Sequence, residues 1–415
     1  MRVLWFSNSP VSADKLKKVG FMGGSWIIAL ETKIKQIEDI ELGIVCQDRV
    51  KEIEKHDIEN VKYYICPVTS GFIKRKIKWG GNYTTRDEQA LIYYNSVIAE
   101  FKPDVIHVFG TENNYGLITK LTKIPVIIHI QGFLNVWNRK YFSGVPMYLY
   151  FSPKTILHFI KGVSEFNYYL FHKKIEKREK EIYSYAKNFL GRTDFDRRIV
   201  KTYAPHAKYY EGQEMIRDDF FHKTWDKKKS DILVMSTVIL GAPYKGLDIV
   251  FESAELLDKN GINFQWNIIG TASDDAIVHL VTKKYKRPFS DKVIFKGGLR
   301  APAIIELLLG TDIYVHPSYI ENSPNSVCEA MLLGMPAIVA SSGGCSTIIE
   351  HKKEGLLVNT GEPFDITGAI LDLYENPEYA RELGSNARKK ALERHDPDKI
   401  TEDLINTYRV IIKSD

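Results

Sequence analysis

Cysteine is scarce and scattered in this 415-residue chain. Cys46, Cys66, Cys328 and Cys345 form neither the close pairs of a zinc site nor the density of a secreted disulfide scaffold, so a reducing compartment, the cytoplasm, is expected. No run reaches the roughly 18 apolar residues that a membrane-spanning helix needs. The opening MRVLWFSNSPVS reads as a short buried strand running into a loop, without the apolar core and cleavage site of a signal peptide. Low-complexity tracts and fixed-period repeats are absent. No GxGxxG follows the first apolar run, where Gly20, Gly23 and Gly24 come late and in another spacing; a plain dinucleotide oxidoreductase is therefore disfavoured. Excess charge of one sign is lacking too. Lys and Arg number 57 against 52 Asp and Glu, a net of +5, which does not demand nucleic acid but permits a visit to an anionic surface.

What is present is enough chain for two or three domains and an alternation of short Val/Ile-rich runs with longer amphipathic stretches. The runs fall at 3–6, 42–46, 105–109 and 126–130, then at 232–235, 264–269, 293–295, 313–316 and 337–340. Runs this short and continuous suit strands covered on both faces, so the expectation is an α/β protein with two doubly wound parallel sheets. A polar, charge-rich stretch separates the two series, which places a domain boundary near 215: residues 1–215, then 216–390, then a helix over 391–415 that crosses back to the first domain. Within the first domain, residues 137–187 hold 13 aromatic residues and 10 Lys or Arg against 4 Glu. They read either as a helical insertion that meets anionic lipid or a lipid-linked acceptor, or as a helical subdomain whose aromatics are core. The basic run at 71–80 is an exposed loop or a membrane contact.

The strongest chemical signal is HPSYIENSPNSVCEAMLLGMPAIVASSGG, a strand, a loop and a helix in succession. Ser323 can cap that helix and Pro324 can occupy its first turn, where the missing amide costs nothing. The amides of Asn325, Ser326 and Val327 would then favour a phosphate. Glu321 before the helix and Glu329 one turn inside it can look toward the same space, and a carboxylate suits paired sugar hydroxyls. Gly343 and Gly344 open a further helix toward the same edge.

This stretch resembles the donor site of family-4 retaining glycosyltransferases of the GT-B fold, the glycosyl transferases group 1, whose mark is two glutamates separated by seven residues. Glu321 and Glu329 match it, and the similarity extends to Gly23-Gly24-Ser25, DVIHVFG at 104–110, FLGRTDFDRRIV at 189–200, YKGLDIV at 244–250, VIFKGG at 293–298 and EGLLV at 354–358. The resemblance implies a nucleoside-diphosphate sugar as donor substrate, two Rossmann-like domains facing a cleft, and a saccharide acceptor of the bacterial surface-polysaccharide type, lipid-linked by preference. Glu329 would meet the ribose, and Glu321 the donor sugar or departing phosphate. Lys245 would give the diphosphate a cation, so that neither metal nor cofactor is needed. Lys296 and Gly297 would meet the base, Gly343 and Gly344 would offer amides, and Gly24 with Ser25 would approach the phosphates closely.

Two positions depart from the family pattern. An arginine usually precedes the lysine, and Ser236-Thr237 stands there instead; Arg300 or Arg192 could supply the charge. The usual strand-end histidine is Gln131, which can hydrogen-bond a sugar hydroxyl but cannot act as acid or base; it joins Glu321 and Lys245 in the expected catalytic set. His129 lies two residues earlier on the same face. His129, Glu112, Arg192 and Arg300 are the candidates for the acceptor or the cleft, with His129 and His107 open to reading as core histidines. A nucleotide-sugar epimerase of the same architecture and a non-catalytic sugar-binding protein are the alternatives.

Overall fold

The computed structural model describes residues 1–8, 25–68, 83–150, 165–228 and 230–414. The chain divides into two compact units, one of Met1–Asn138, Pro153–Met215 and Asp396–Asp415, the other of Arg139–Ser152 and Ile216–His395. The first unit is built on eight strands: β1 (Arg2–Phe6), β2 (Glu41–Asp48), β3 (Glu54–Ile58), β4 (Val61–Pro67), β5 (Val105–Phe109), β6 (Val126–His129), β7 (Asn188–Gly191) and β8 (Lys208–Glu211). Their spatial order is β3-β4-β2-β1-β5-β6-β7-β8. All pairings are parallel except that of β3, an edge strand antiparallel to β4.

Burial on both faces explains the continuous apolar runs. In β1, Leu4 and Phe6 pack with α2 (Tyr83–Phe101) on one side of the sheet. Val3 and Trp5 pack with α1 (Ser25–Ile34) on the other. Between β6 and β8 come α3 (Leu134–Lys140), α4 (Glu165–Tyr185) and α5 (Asp194–Tyr203). Thr193 caps α5 in a reciprocal box with Asp196, which fixes where the chain turns after β7.

The second unit repeats the scheme with β9 (Leu233–Val238), α6 (Leu247–Lys259), β10 (Phe264–Ile269), α7 (Ala276–Tyr285), β11 (Val293–Gly297), α8 (Ala301–Leu309), β12 (Ile313–His316), α9 (Asn325–Leu333), β13 (Ala337–Ala340), α10 (Cys345–Ile348), β14 (Leu356–Val358), α11 (Pro363–Glu375) and α12 (Pro377–Arg394). Its six parallel strands lie in the order β11-β10-β9-β12-β13-β14. Successive strands on either side of β9 lead away in opposite directions, so the loops after β9 and β12 meet where the strand order reverses, the usual ligand position of such sheets.

The last helix, α13 (Pro397–Ser414), returns to the first unit, where Ile400, Leu404, Ile405, Tyr408 and Ile411 join the core beside β1 and α1. At roughly 1.5–3 kcal/mol for each fully buried apolar side chain, that face stabilises the first unit by about 10 kcal/mol before chain entropy is counted.

The expected insertion over 137–187 needs correction, because it is not one body. Arg139–Ser152 belongs to the second unit, with Val145, Leu149 and Tyr150 in its core. Lys283 and Lys284 of α7 hold this segment by donating to the carbonyls of Leu149 and Gly144, each at 3.1 Å. In α4, Ile182 and Tyr183 are core residues of the first unit, while Tyr168 and Tyr185 are exposed. Residues 151–164 of this stretch, the basic run 71–80 and Gly24 lie outside the described residues. Among the described residues no helix is long and apolar enough to cross a membrane.

Candidate functional site

In the second unit, β12 ends in His316 and the chain enters a buried loop before α9. Glu321 sits in that loop, 8% exposed. Its Oε1 accepts from Lys245 Nζ at 2.6 Å and lies 3.2 Å from His316 Nε2. Burial works to raise the Glu321 pKa, but the Lys245 ammonium and the His316 hydrogen bond outweigh it and hold the carboxyl well below the usual range. Burial likewise works to neutralise Lys245, and the Glu321 carboxylate reverses that and raises its pKa. The two residues approach from the loops after β9 and β12, and each keeps the other charged.

Gly343 shapes this loop. Its φ is +55°, and a Cβ there would come within 1.8 Å of the Glu321 carbonyl oxygen. Only glycine allows both the left-handed turn and the approach. Gly343→Ala should therefore lower stability by about 2 kcal/mol or more and loosen the Glu321–Lys245 contact, read by chemical denaturation. Unchanged stability would mean the loop can withdraw freely.

Glu329 lies in the second turn of α9, 5% exposed, and Arg217 Nε donates to its Oε1 at 3.1 Å. Burial drives the Glu329 pKa up, and Arg217 opposes that only in part. The two glutamates thus sit in opposite electrostatic environments, with the pKa of Glu321 lowered by Lys245 and His316 and that of Glu329 raised by burial. Arg217 lies in the polar linker, 112 residues from Glu329, and no local pattern marks it.

The cap of α9 is Pro324 and not Ser323, the helix begins at Asn325, and the Val327 amide donates to the Pro324 carbonyl at 3.0 Å. Asn325 and Ser326 open the helix, both half-buried. The Gly344 amide already donates to the Glu321 carbonyl at 3.2 Å, so it braces the loop. The Gly297 amide donates to Thr271 O at 3.1 Å, and Lys296 beside it is half-buried. At the departing arginine position, Ser236 and Thr237 are fully buried and tied to Thr311 and Val315, so that strand end offers no charge. Arg300 is exposed at the start of α8.

The first unit gathers a second cluster at the carboxyl edge of β5, β6 and β7. Gly110 has φ +83°, and a Cβ on it would meet Glu112 Oε2 at 2.0 Å and Gln131 Cγ at 3.1 Å, so both side chains fold over this glycine. Gln131 Oε1 accepts from Arg192 at 3.0 Å. Arg192, a candidate for the acceptor or the cleft, is 5% exposed. It also donates to Ile130 O at 3.1 Å, lies 3.7 Å from Glu214 and stacks on Trp26 with its guanidinium 4.8 Å from the ring. Trp26 is in the first turn of α1, which Ser25 opens.

Glu112 Oε2 is buried without a hydrogen-bond partner among the described residues. Burial, reinforced by the nearby Glu179, pushes its pKa up to about 7. Glu179 of α4 went unrecognised in the sequence. It accepts from Thr111 Oγ1 at 2.8 Å and from the amides of Leu134 and Asn135 at 3.0 and 2.9 Å. One buried carboxyl therefore binds the loop after β5 to the start of α3.

Residues 216–390 match the family model of Glycosyl transferases group 1. The chain is 28% identical, over 48% of its length and 50% of the relative's, to the N,N'-diacetylbacillosaminyl-diphospho-undecaprenol alpha-1,3-N-acetylgalactosaminyltransferase of Campylobacter jejuni. The matches span only 33 to 50% of the length of the first curated relatives. Among solved structures, a sucrose-phosphate synthase from Thermosynechococcus elongatus aligns over 100% of both chains with a TM-score of 0.73 at 13% identity. Anabaena Alr3699/HepE, in complex with UDP and glucose, aligns over 99% of this chain and 100% of that one with a TM-score of 0.65 at 16% identity. The fold is the GT-B fold, with two parallel-sheet α/β domains, and the likeness to the glycosyl transferases group 1 lies in residues 216–390.

Proposed function

We propose that the protein is a retaining glycosyltransferase that moves a sugar from a nucleoside-diphosphate sugar to a saccharide hydroxyl without a metal. The observation that carries this reading is the buried Lys245–Glu321–His316 cluster beside the Arg217–Glu329 pair. Departure of a nucleoside diphosphate builds negative charge on the phosphate, and an ammonium already held in place by Glu321 stabilises that charge with little reorganisation. Lys245 would do this electrostatic task. Glu329 would accept from the paired ribose hydroxyls, exchanging part of its contact with Arg217. In the first unit, Glu112 and Gln131 offer an acceptor hydroxyl hydrogen-bonding groups.

A lipid-linked saccharide is the favoured acceptor class. The likeness to an enzyme whose name specifies a diphospho-undecaprenol substrate supports it. Transfer assays with the same saccharide, free and lipid-linked, separate the two classes; equal rates would remove this preference.

Donor binding is tested by thermal unfolding of wild type and Glu329→Ala with UDP, GDP, ADP and dTDP, in the presence of a chelator. One nucleotide should stabilise the wild type by about 2.7 kcal/mol at a hundredfold excess over its Kd, and the variant should lose most of that increment. UDP is the first to try, given the ligand of the Anabaena neighbour. No stabilisation by any nucleotide would overturn the reading.

A further inference from the structure

Four buried groups of the first unit form one chain of hydrogen bonds. Trp5 Nε1 donates to the Tyr408 hydroxyl at 3.1 Å. That hydroxyl lies 2.5 Å from His107 Nδ1, and His107 Nε2 lies 3.1 Å from His129 Nδ1. At the far end, His129 Nε2 is buried with no hydrogen-bond partner among the described residues, in a residue 2% exposed.

The direction of the chain follows from its first member, because an indole N–H can only donate. The Tyr408 oxygen accepts from Trp5 and must place its own proton, and His107 Nδ1 is the acceptor it meets. His107 then carries its single proton on Nε2 and gives that hydrogen bond to His129 Nδ1. His129 is left with its proton on Nε2. The reverse arrangement would leave two buried groups unmatched, the Tyr408 proton and the His129 Nε2 lone pair; the forward one leaves a single unmatched donor. One proton per ring is the right count, since burial lowers the His107 pKa to about 3. Burial, with His107 and Arg192 nearby, takes that of His129 well below its ordinary value.

We propose that Tyr408 and His107 are positioning residues that fix His129 as an Nε2–H hydrogen-bond donor to an oxygen of a bound ligand, whether of a phosphate or of a sugar hydroxyl. His129 is the last residue of β6, at the carboxyl edge where ligands of parallel sheets gather. The Trp26 ring lies 5.0 Å from its imidazole. A buried donor with no acceptor among the described residues, in such a place, is suited to an oxygen that a ligand brings. The choice of ligand rests on the function proposed above; the tautomer does not.

The test is long-range proton–nitrogen NMR on protein labelled with ¹⁵N-histidine, with His129→Gln used to assign the resonance. In the wild type both rings should be neutral with protonated Nε2, and Tyr408→Phe should bring mixed tautomers to His107 and His129. A wild-type His129 protonated on Nδ1 would overturn the relay without needing any variant. Addition of inorganic pyrophosphate or of methyl α-glucoside should then move the His129 Nε2 resonance. A shift with pyrophosphate assigns the phosphate source, a shift with the glucoside assigns the sugar hydroxyl, and silence with both removes the ligand role. Failure of the glycosyltransferase reading would leave the tautomer result standing, so the two can be told apart.

Discussion

Lys245→Met should reduce sugar transfer by about 10²- to 10³-fold in kcat, the effect of removing one preorganised electrostatic group from a buried site. It should also lower stability by about 3 kcal/mol, because Glu321 would be left without the ammonium that keeps it charged. The loss of stability depends only on the observed ion pair, whereas the loss of activity depends on the function proposed for it. Glu321→Gln completes the comparison. It keeps the shape and strands Lys245 instead, so the double replacement Lys245→Met/Glu321→Gln should be more stable than the two single effects added together. Calorimetric or urea unfolding of the four proteins, alongside initial rates, measures both halves. Additive single and double effects would mean that the pair is not coupled. Full activity in Lys245→Met would exclude Lys245 from phosphate stabilisation.

The second large effect concerns pH and Glu112. Its pKa rises from 4.5 in a free carboxyl to about 7 on folding, so the folded state holds the proton more tightly than the unfolded chain does. The stabilisation from that proton is full below pH 4.5 and is lost as pH rises through 7. Across that window the loss is about 3 kcal/mol, at 1.36 kcal/mol per unit. Glu112→Gln stays neutral, so it should gain on the wild type as pH climbs, the difference reaching its limit near pH 8. Asp196, whose pKa burial raises to about 6, is common to both proteins and cancels in the difference. Urea unfolding from pH 5 to 9 reads the effect, and parallel profiles for the two proteins would refute the buried-carboxyl assignment.

Much of the framework was readable before any coordinates because the signals are local. Short Val/Ile runs such as 105–109 become β5 because both faces of the sheet are covered, and covered strands need no polar alternation. The Glu321–Glu329 stretch announced itself since loop, proline and helix lie within a dozen residues. What stayed hidden is what the chain brings together over distance. Arg217 meets Glu329 across 112 positions, and Tyr408 meets His107 across 301. Glu179 reaches Leu134 across 45. None of these pairings has a periodicity or a spacing to read. The division of 137–187 was hidden for a related reason: an aromatic, basic stretch is equally suited to either unit until Lys283 and Lys284 choose the carbonyls they bind. The shift of the α9 cap from Ser323 to Pro324 is smaller, a single residue at a helix end.

The path of the chain through its two units limits how this protein can be recombined. A break at 215/216 separates the two sheets cleanly in sequence, yet it leaves the first without Asp396–Asp415 and the second without Arg139–Ser152. Each fragment would then expose the surface that Tyr408 and its neighbours, or Val145 and Leu149, had covered. Exchanging the second unit between relatives therefore requires transplanting two stretches and not one. The short segment at 139–152 must travel with residues 216–395, while the terminal helix must stay behind with the sheet it completes.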